Sequence, residues 1–291
     1  MSDIEEISNG FTDNKNSYEK NVASLDIYDC YKKSPYLSIK HSSYFQVYAE
    51  LLEQYRNRPI TFVEIGILNG GSLFMWREYF GEKARIIGID LNPLAKRWEE
   101  AGFEIHIGSQ SNELFWNELF KEIGDVDIVL DDGGHTYEQQ IVTAHNCIPH
   151  IKDGGLLIVE DTHTSYFKKF GYPSKYTFIE WIKVLIDNIN SRFPAVKVSD
   201  LPYKDSIYSI TVYESIVSLR IKRDQCFESA ATSNNGISMN AKDFRYNEIE
   251  SGLGVIFNRF QGNKRIQKIK KSLTKRIVKL SLTKLKKYFR T

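Results

Sequence analysis

Cysteine is scarce in this chain. Its three cysteines among 291 residues, Cys30, Cys147 and Cys226, are scattered, and no two make a CxxC pair. An odd, unspaced set of this kind excludes a disulfide framework and reads as reduced thiols in a cytoplasmic protein. Long apolar runs are missing as well. No stretch approaches the ~18–20 residues that a membrane-crossing helix requires. The opening Met1-Ser2-Asp3-Ile4-Glu5-Glu6 is acidic and polar, so no secretory signal is expected there. The chain also shows no internal repeat. The dinucleotide fingerprint G-x-G-x-x-G is lacking too, because Leu68 stands where its second glycine would be. That glycine lets a pyrophosphate approach the backbone, so a side chain there argues against NAD or FAD and suits a cofactor without phosphates.

What remains is the composition of an ordinary α/β protein, 42% hydrophobic and 26% charged, enough for one sizeable core with appendages. The net charge of +2 conceals an asymmetry. Residues 264–290 hold 12 lysines or arginines and no acid, which leaves the rest of the chain at −10. Within that tail Ile266, Ile269, Leu273, Ile277 and Leu280 recur at steps of 3 or 4, an apolar stripe along a cationic helix. Such a helix suits an anionic membrane surface; a packed terminal helix or dimer arm is the competing reading. Nucleic acid is not favoured, since neither interleaved aromatics nor an RNA-binding motif accompanies the charge.

Two acidic clusters dominate the middle of the chain. Asp131-Asp132-Gly133-Gly134-His135 follows the apolar run Val126 to Leu130, and Glu160-Asp161-Thr162-His163 follows Gly155 to Val159. Uninterrupted apolar runs read as buried parallel strands, and ligands of open α/β sheets bind beyond the strands' C-terminal ends. Four carboxylates and a histidine would therefore converge on one spot. Like charges at short range raise one another's pKa, and a bound cation is the natural neutraliser. The oxygen-rich donors favour a hard ion, Mg²⁺ first, with Mn²⁺ or Ca²⁺ behind it. The competing reading of the first cluster is a strand-to-helix turn with Thr136 as cap, and of the second a polar loop.

An earlier strand, Ile60 to Ile65, carries Glu64 and runs into Gly66-Ile67-Leu68-Asn69-Gly70-Gly71-Ser72 and a helix over 73–80. A strand, glycine turn and helix in that order make a cradle into which a ligand can come close to backbone, facing the helix N-terminus. The next strand, Ala84 to Ile89, ends in Asp90, about 20 residues past the glycines, where an acid commonly holds ribose hydroxyls. A third, Phe103 to Ile107, delivers Gly108, Ser109 and Gln110, polar groups suited to an adenine edge.

Taken together, Glu64-Ile65-Gly66 with Gly70-Gly71, Asp90 and Asp131-Asp132 resemble the successive motifs of class I S-adenosylmethionine-dependent methyltransferases. More narrowly, Asp132-Gly133-Gly134-His135 with Val159-Glu160-Asp161-Thr162-His163 resembles the metal-dependent sugar O-methyltransferases. That group includes the mycinamicin and macrocin tailoring enzymes and has cephalosporin hydroxylase-like relatives. The likeness spans residues 36–222. It implies a Rossmann-like sheet with helices on both faces and a C-terminal antiparallel hairpin. It implies S-adenosylmethionine in a crevice formed by Glu64, Gly66, Asn69, Gly70, Ser72, Asp90, Ser109, Gln110 and Asp131. It further implies Mg²⁺ on Asp132, Glu160 and Asp161, with His135 as general base and a sugar or glycan hydroxyl as acceptor. Lys40 and Tyr44 are placed by the resemblance at the cofactor mouth. The macrolide enzymes carry an extra N-terminal region with no counterpart here, so their substrates do not transfer. His163 stands between orienting a ligand acid and being a plain loop residue, and His41, His106, His145 and His150 read as structural.

The expected organisation is a polar, partly disordered arm over 1–35, the catalytic domain over 36–222, a linker or lid over 223–262 and the basic tail over 263–291. A helix from Tyr44 to Tyr55 precedes the core, and another from Tyr176 to Phe193 buries Phe178, Trp181, Ile182, Leu185 and Ile189. Strands at Ile207–Tyr213 and Ile216–Ile221 read as the closing hairpin. The expected setting is the cytoplasm, peripheral to the inner face of the plasma membrane if the tail docks there, with a homo-oligomer allowed by the dimer-arm reading. Two other function classes stay open. One is a Rossmann-type nucleotide-sugar enzyme or oxidoreductase, against which Leu68 and the lack of a Tyr-x-x-x-Lys pair beside the site weigh. The other is a non-catalytic membrane-docked scaffold, against which the costly acidic clusters weigh.

Overall fold

The structure, a computed structural model, describes residues 22–196 and 202–239 and the isolated positions 272, 285 and 288. The amphipathic helix expected over 264–290 lies outside the described residues, as do residues 1–21. The chain divides into two units, residues 1–230 and 231–291. In the second, residues 231–239 follow an exposed, irregular course. The Asn234 side chain there accepts the Gly236 N–H at 3.0 Å, a side-chain turn at Asn-Asn-Gly.

The first unit is built on a seven-stranded sheet of order β3-β2-β1-β4-β5-β7-β6. The strands are β1 (Thr61–Ile65), β2 (Arg85–Asp90), β3 (Glu104–Ile107), β4 (Val126–Asp131), β5 (Ile151–Val159), β6 (Ile207–Val212) and β7 (Val217–Ile221). β1 to β5 pair in parallel, and β7 enters antiparallel between β5 and β6 as the expected hairpin. Strand order reverses between β1 and β4, which places a topological switch point at their C-terminal ends.

The strands are buried on both faces, and side-chain alternation sorts them into two cores. Phe62, Ile128, Leu130, Leu156 and Ile158 face one layer. It is formed by α1 (Asp26–Lys33), α2 (Tyr44–Leu52) and α3 (Gly71–Phe80). Val63, Ile65, Val129, Leu157 and Val159 face the other, formed by α4 (Glu113–Ile123), α5 (Tyr137–Cys147) and α6 (Phe178–Asn190). Each such side chain contributes about 1.5–3 kcal/mol on burial. α1 corrects the expected polar arm. Ile27 and Cys30, one helical turn apart, are buried in the first core, with Asp26 and Asp29 in the first turn and Lys32 and Lys33 in the last. That charge order complements the helix dipole. Among the described residues, no helix is long and apolar enough to cross a membrane.

Candidate active site

The turn after β1 fixes the crevice. Gly66 has φ +86°, and a Cβ there would lie 2.2 Å from the Asp132 carbonyl oxygen and 2.8 Å from the Gly133 Cα. Only glycine lets the β1 and β4 turns come this close. The Gly66 N–H donates to the Ile89 carbonyl (2.8 Å) and the Asp132 N–H to that of Ile65 (3.0 Å), so three strand ends are stitched together. Gly70, at φ +79°, closes the turn and begins α3. Asp90 accepts the Leu68 N–H (3.0 Å) and the Asn92 N–H (2.8 Å), which ties the end of β2 to the turn. The Leu68 side chain itself points outward, 71% exposed. A cavity of about 550 Å³ lined by Tyr36, Leu37, Arg97 and Trp98 meets the turn at Asn69.

Several residues expected to contact a cofactor are instead sealed beneath the crevice. Glu64 is fully buried and accepts from the Ser72 hydroxyl (2.8 Å) and the Trp76 indole (3.1 Å). Glu64 and Ser72 therefore shape the turn from below. Burial pushes the Glu64 carboxyl up to about 7, opposed by Lys40 and by its two donors. Gln110 does not present an open edge to an adenine. Its amide donates to Asp131 Oδ1 (2.9 Å) and Thr143 (3.0 Å) and accepts the Gly134 N–H (2.8 Å). Ser109 accepts its neighbour's Ser111 N–H. Asp131 is different: its Oδ2 is buried with no hydrogen-bond partner. Burial lifts this carboxyl to about 6 although Gln110 and the Gly133 N–H favour its charged form.

Beside the crevice the two acidic clusters meet. The ligand atoms of Asp132, His135 and Asp161 all lie within 4.8 Å of one another. His135 Nε2 is 3.3 Å from Asp161 Oδ2 and 3.9 Å from Asp132 Oδ1. The cap expected at Thr136 is also present: its hydroxyl accepts the Gln139 N–H while the Gln139 side chain reaches back. Helix capping and site geometry are therefore served by one turn. Glu160 turns the other way. Fully buried, it accepts from Lys40 Nζ at 3.0 and 3.2 Å and from the Tyr48 hydroxyl. The same ammonium donates to Asp132 Oδ2 at 2.6 Å and lies 3.9 Å from Glu64.

Lys40 is thus the floor of the site and not part of a mouth. Burial alone would strip its proton, but Asp132, Glu160 and Glu64 outweigh that and hold its pKa above the usual lysine range. Burial, then Asp132, push Glu160 well above the usual carboxylate range. Among these groups Lys40 keeps its charge, and Glu160 is the acid that retains a proton most readily.

On the outer side, Asp161 accepts from the Tyr44 hydroxyl and meets two more imidazoles, His41 at 3.8 Å and His163 at 3.9 Å. His41, expected to be structural, therefore belongs to the site's rim. His163 Nδ1 is 2.9 Å from the Ser215 hydroxyl at the β6–β7 turn. Burial lowers the His163 pKa, which favours the neutral ring. His106, His145 and His150 lie elsewhere, paired with Glu104, Tyr203 and Asp125.

The arrangement fits a hard divalent ion. Oxygens of Asp132 and Asp161 converge beside the His135 ring, which is left for proton transfer, and the other oxygen of Asp132 is held by an internal ammonium.

Comparison with known proteins agrees with this geometry. Residues 63–162 match the methyltransferase domain family. The demethylmacrocin O-methyltransferase of Streptomyces fradiae is 32% identical over 157 residues, which cover 50% of this chain and 39% of that enzyme. A rhamnosyl tetracenomycin-C 2'-O-methyltransferase of Streptomyces olivaceus is 30% identical over 177 residues, 55% of this chain and 46% of that one. The mycinamicin VI 2''-O-methyltransferase of Micromonospora griseorubida is 26% identical over 230 residues, 71% and 55%. The chain thus spans about half the length of these relatives. In fold it matches the MycE methyltransferase of mycinamycin biosynthesis, solved with Mg, SAH and mycinamycin VI. There the TM-score is 0.61 at 24% identity, covering 78% of this chain and 58% of that one. Residues 63–162 thus match a methyltransferase domain, and the chain is similar in sequence to the O-methyltransferases just named and in fold to MycE.

Proposed function

We propose that this protein is a Mg²⁺-dependent O-methyltransferase that takes its methyl group from S-adenosylmethionine and acts on a sugar hydroxyl of a glycan or glycoside. The observation that carries the reading is the convergence of Asp132, His135 and Asp161 within 4.8 Å, beside a crevice closed by Gly66. The relatives named as O-methyltransferases of demethylmacrocin, of a rhamnosyl tetracenomycin-C and of mycinamicin VI support the acceptor class.

Transfer of a sulfonium methyl needs the acceptor oxygen held in line, about 3 Å from the carbon, and its proton removed. Gly66 and Gly70 would let a cofactor come close to backbone, Asp90 would hold its ribose hydroxyls, and the unpartnered Asp131 Oδ2 would offer a further acceptor. Asp132 and Asp161, with Glu160 behind them, are the carboxylates that would hold the ion. A bound divalent ion supplies Lewis acidity toward an alkyl hydroxyl that is otherwise too weak an acid. His135 Nε2 takes the proton, and Asp161 Oδ2 at 3.3 Å stabilises the resulting imidazolium. The test combines calorimetry and turnover. S-adenosylmethionine should bind and NAD should not, and excess EDTA should abolish transfer until Mg²⁺ is returned. Full turnover in EDTA, or binding of NAD alone, overturns the reading.

The basic segment 264–290 is assigned to an anionic membrane surface, where it would bring the domain to a lipid-linked glycan. Its support is the sequence pattern of 12 cations, no acid and an apolar stripe. Liposome flotation should require anionic lipid, weaken with salt and vanish on truncation after Gly262. Salt-insensitive binding would assign the segment to packing instead.

A further inference from the structure

Asp161 offers its two oxygens to different neighbours. Its Oδ2 lies 3.3 Å from His135 Nε2, on the side where Asp132 converges. Its Oδ1 faces the rim, 3.8 Å from His41 Nε2 and 3.9 Å from His163 Nδ1. The ligand atoms of His41, Asp161 and His163 all lie within 4.8 Å of one another, a second group beside that of Asp132, His135 and Asp161. At these separations neither imidazole is hydrogen-bonded to Oδ1, yet both crowd the same oxygen. Packing sets the two rings. They stand edge to face with centroids 5.8 Å apart, His41 against Tyr44 at 5.2 Å and His163 against Phe167 at 5.5 Å. The Tyr44 hydroxyl donates to the same Oδ1, which leaves that oxygen one lone pair. With 54% of the His41 side chain and 34% of that of His163 exposed, the group is open to an ion arriving from solvent.

Two imidazoles and one carboxylate oxygen are a softer donor set than the acids of the inner group. Imidazole suits Zn²⁺, Cu²⁺ and Ni²⁺, whereas carboxylate and water suit Mg²⁺. Zn²⁺ sites that keep an open position use three protein ligands of this kind. Tetrahedral bonds of about 2.0–2.2 Å put ligand atoms roughly 3.4 Å apart, so the rings need close on Oδ1 by only about half an ångström. Ligation would also draw His163 Nδ1 from the Ser215 hydroxyl, now 2.9 Å away. Two-metal sites hold their ions about 3.5–4 Å apart, a spacing that one carboxylate spans when each oxygen takes one ion. We propose that His41, His163 and Oδ1 of Asp161 form a second metal site, for an ion of the Zn²⁺ class, separate from the hard-ion site that Oδ2 serves. His41 comes from the segment before α2, which crosses the start of α3: a Cβ on Gly71 would lie 2.3 Å from the Tyr36 carbonyl oxygen. An ion held by His41 and His163 ties that segment to the turn after β5. The site shares Asp161 with the proposed Mg²⁺ position but does not depend on that position being filled.

The experiment uses the full chain with saturating Mg²⁺ present. Zn²⁺ affinity and stoichiometry are read by competition with a chromophoric chelator, and Cu²⁺ then serves as a spin probe of the same site. One Zn²⁺ should bind per chain. Loss of a mere outer partner of a metal ligand costs 10–100-fold in affinity, so His41→Ala and His163→Ala should each weaken Zn²⁺ by at least about tenfold. Asp132→Asn should weaken Zn²⁺ less than either histidine variant does, while Mn²⁺ binding at the hard-ion position is lost. His150→Ala, a histidine paired with Asp125, should match wild type. Spin-echo spectra of bound Cu²⁺ should show two imidazoles, whereas an ion seated among Asp132, His135 and Asp161 shows one. That spectrum needs only the wild type, so it decides even where a variant fails to fold. The inference is overturned if no Zn²⁺ binds, if Zn²⁺ is lost in Asp132→Asn but kept in His41→Ala, or if one imidazole is seen. A wild type that holds Zn²⁺ on two imidazoles but binds no Mn²⁺ overturns the hard-ion reading and leaves this site standing.

Discussion

Gly66→Ala and Gly102→Ala form a matched pair that separates backbone strain from steric intrusion. Both glycines have φ near +85°, so an alanine at either costs roughly 1–2 kcal/mol from conformation alone. For a domain of this size that is a fall of about 2–4 °C in Tm per kcal/mol. The two positions differ in what a new methyl meets. At Gly102, at the end of the 3₁₀ segment Pro93–Ala101, nothing lies within 4 Å. At Gly66 the methyl would sit 2.2 Å from the Asp132 carbonyl oxygen. An ordinary contact is about 3.5 Å, so the segment carrying Asp132 and His135 must retreat by about 1 Å. A displacement of that size at reacting groups costs on the order of 10²-fold in rate. Thermal melts and methyl-transfer assays on both variants should therefore show a modest, similar strain cost, a further loss of stability in Gly66→Ala, and a turnover at least about 100-fold lower in Gly66→Ala alone. Wild-type turnover in Gly66→Ala, or an equal loss in Gly102→Ala, would refute the reasoning.

Three further outcomes are expected. His135→Ala should cut turnover by about 10²–10⁴, mainly in kcat; turnover near that of wild type moves the base to another group, His163 first. Glu64 holds a proton up to about pH 7 in the folded protein against an ordinary value of 4.5, so the folded state binds that proton more tightly than the unfolded one. Its contribution to stability is then greatest below pH 4.5 and is lost as pH rises to 7. The stability lead of wild type over Glu64→Gln in urea melts should accordingly shrink between pH 5 and pH 8, and parallel curves count against it. Tyr48→Phe removes one of the donors to the buried Glu160 and should cost about 1–3 kcal/mol, measured the same way; no loss means that another donor replaces it.

The parallel strands were legible because burial on both faces writes them as unbroken apolar runs, and the acids at their ends were legible because each run stops abruptly at a charge. What was not legible is which partners those acids meet. Lys40 and Tyr48 reach Glu160 across 120 and 112 residues, and no periodicity or spacing relates a lysine upstream of α2 to a carboxylate beyond β5. The lone signal available was the motif resemblance around Lys40, which gave presence without direction. His41 was read as structural because a single histidine carries no spacing, and Ser215 was hidden in a hairpin turn. Gln110 shows the converse error. A polar residue at a strand end was taken to face a ligand, but its amide is consumed in joining β3 to the β4 turn.

The loops at the C-terminal edge share one further property. Among the described residues, the non-glycine positions at positive φ are Asn57, Leu68, His135, Asp161, Ser215 and Asn235. Four of these lie in the turns that meet at the site: Leu68 after β1, His135 after β4, Asp161 after β5 and Ser215 between β6 and β7. Each costs on the order of 1 kcal/mol or more and persists only where neighbours over-determine it. Here they do. Thr164 donates from its hydroxyl to the His135 carbonyl (2.9 Å) and from its N–H to that of Asp161 (2.9 Å), and the Thr162 N–H holds the Ser215 carbonyl (3.0 Å). At Asp161 the left-handed turn decides the chemistry. It ends the extended course of β5 and starts the 3₁₀ segment Thr162–Tyr166. Glu160 is left pointing inward to Lys40, while Asp161, its neighbour, opens on the rim beside His135. Two adjacent acids so acquire different environments, one held by an internal ammonium and one open on the rim. The strain in this turn is the structural cause of that division.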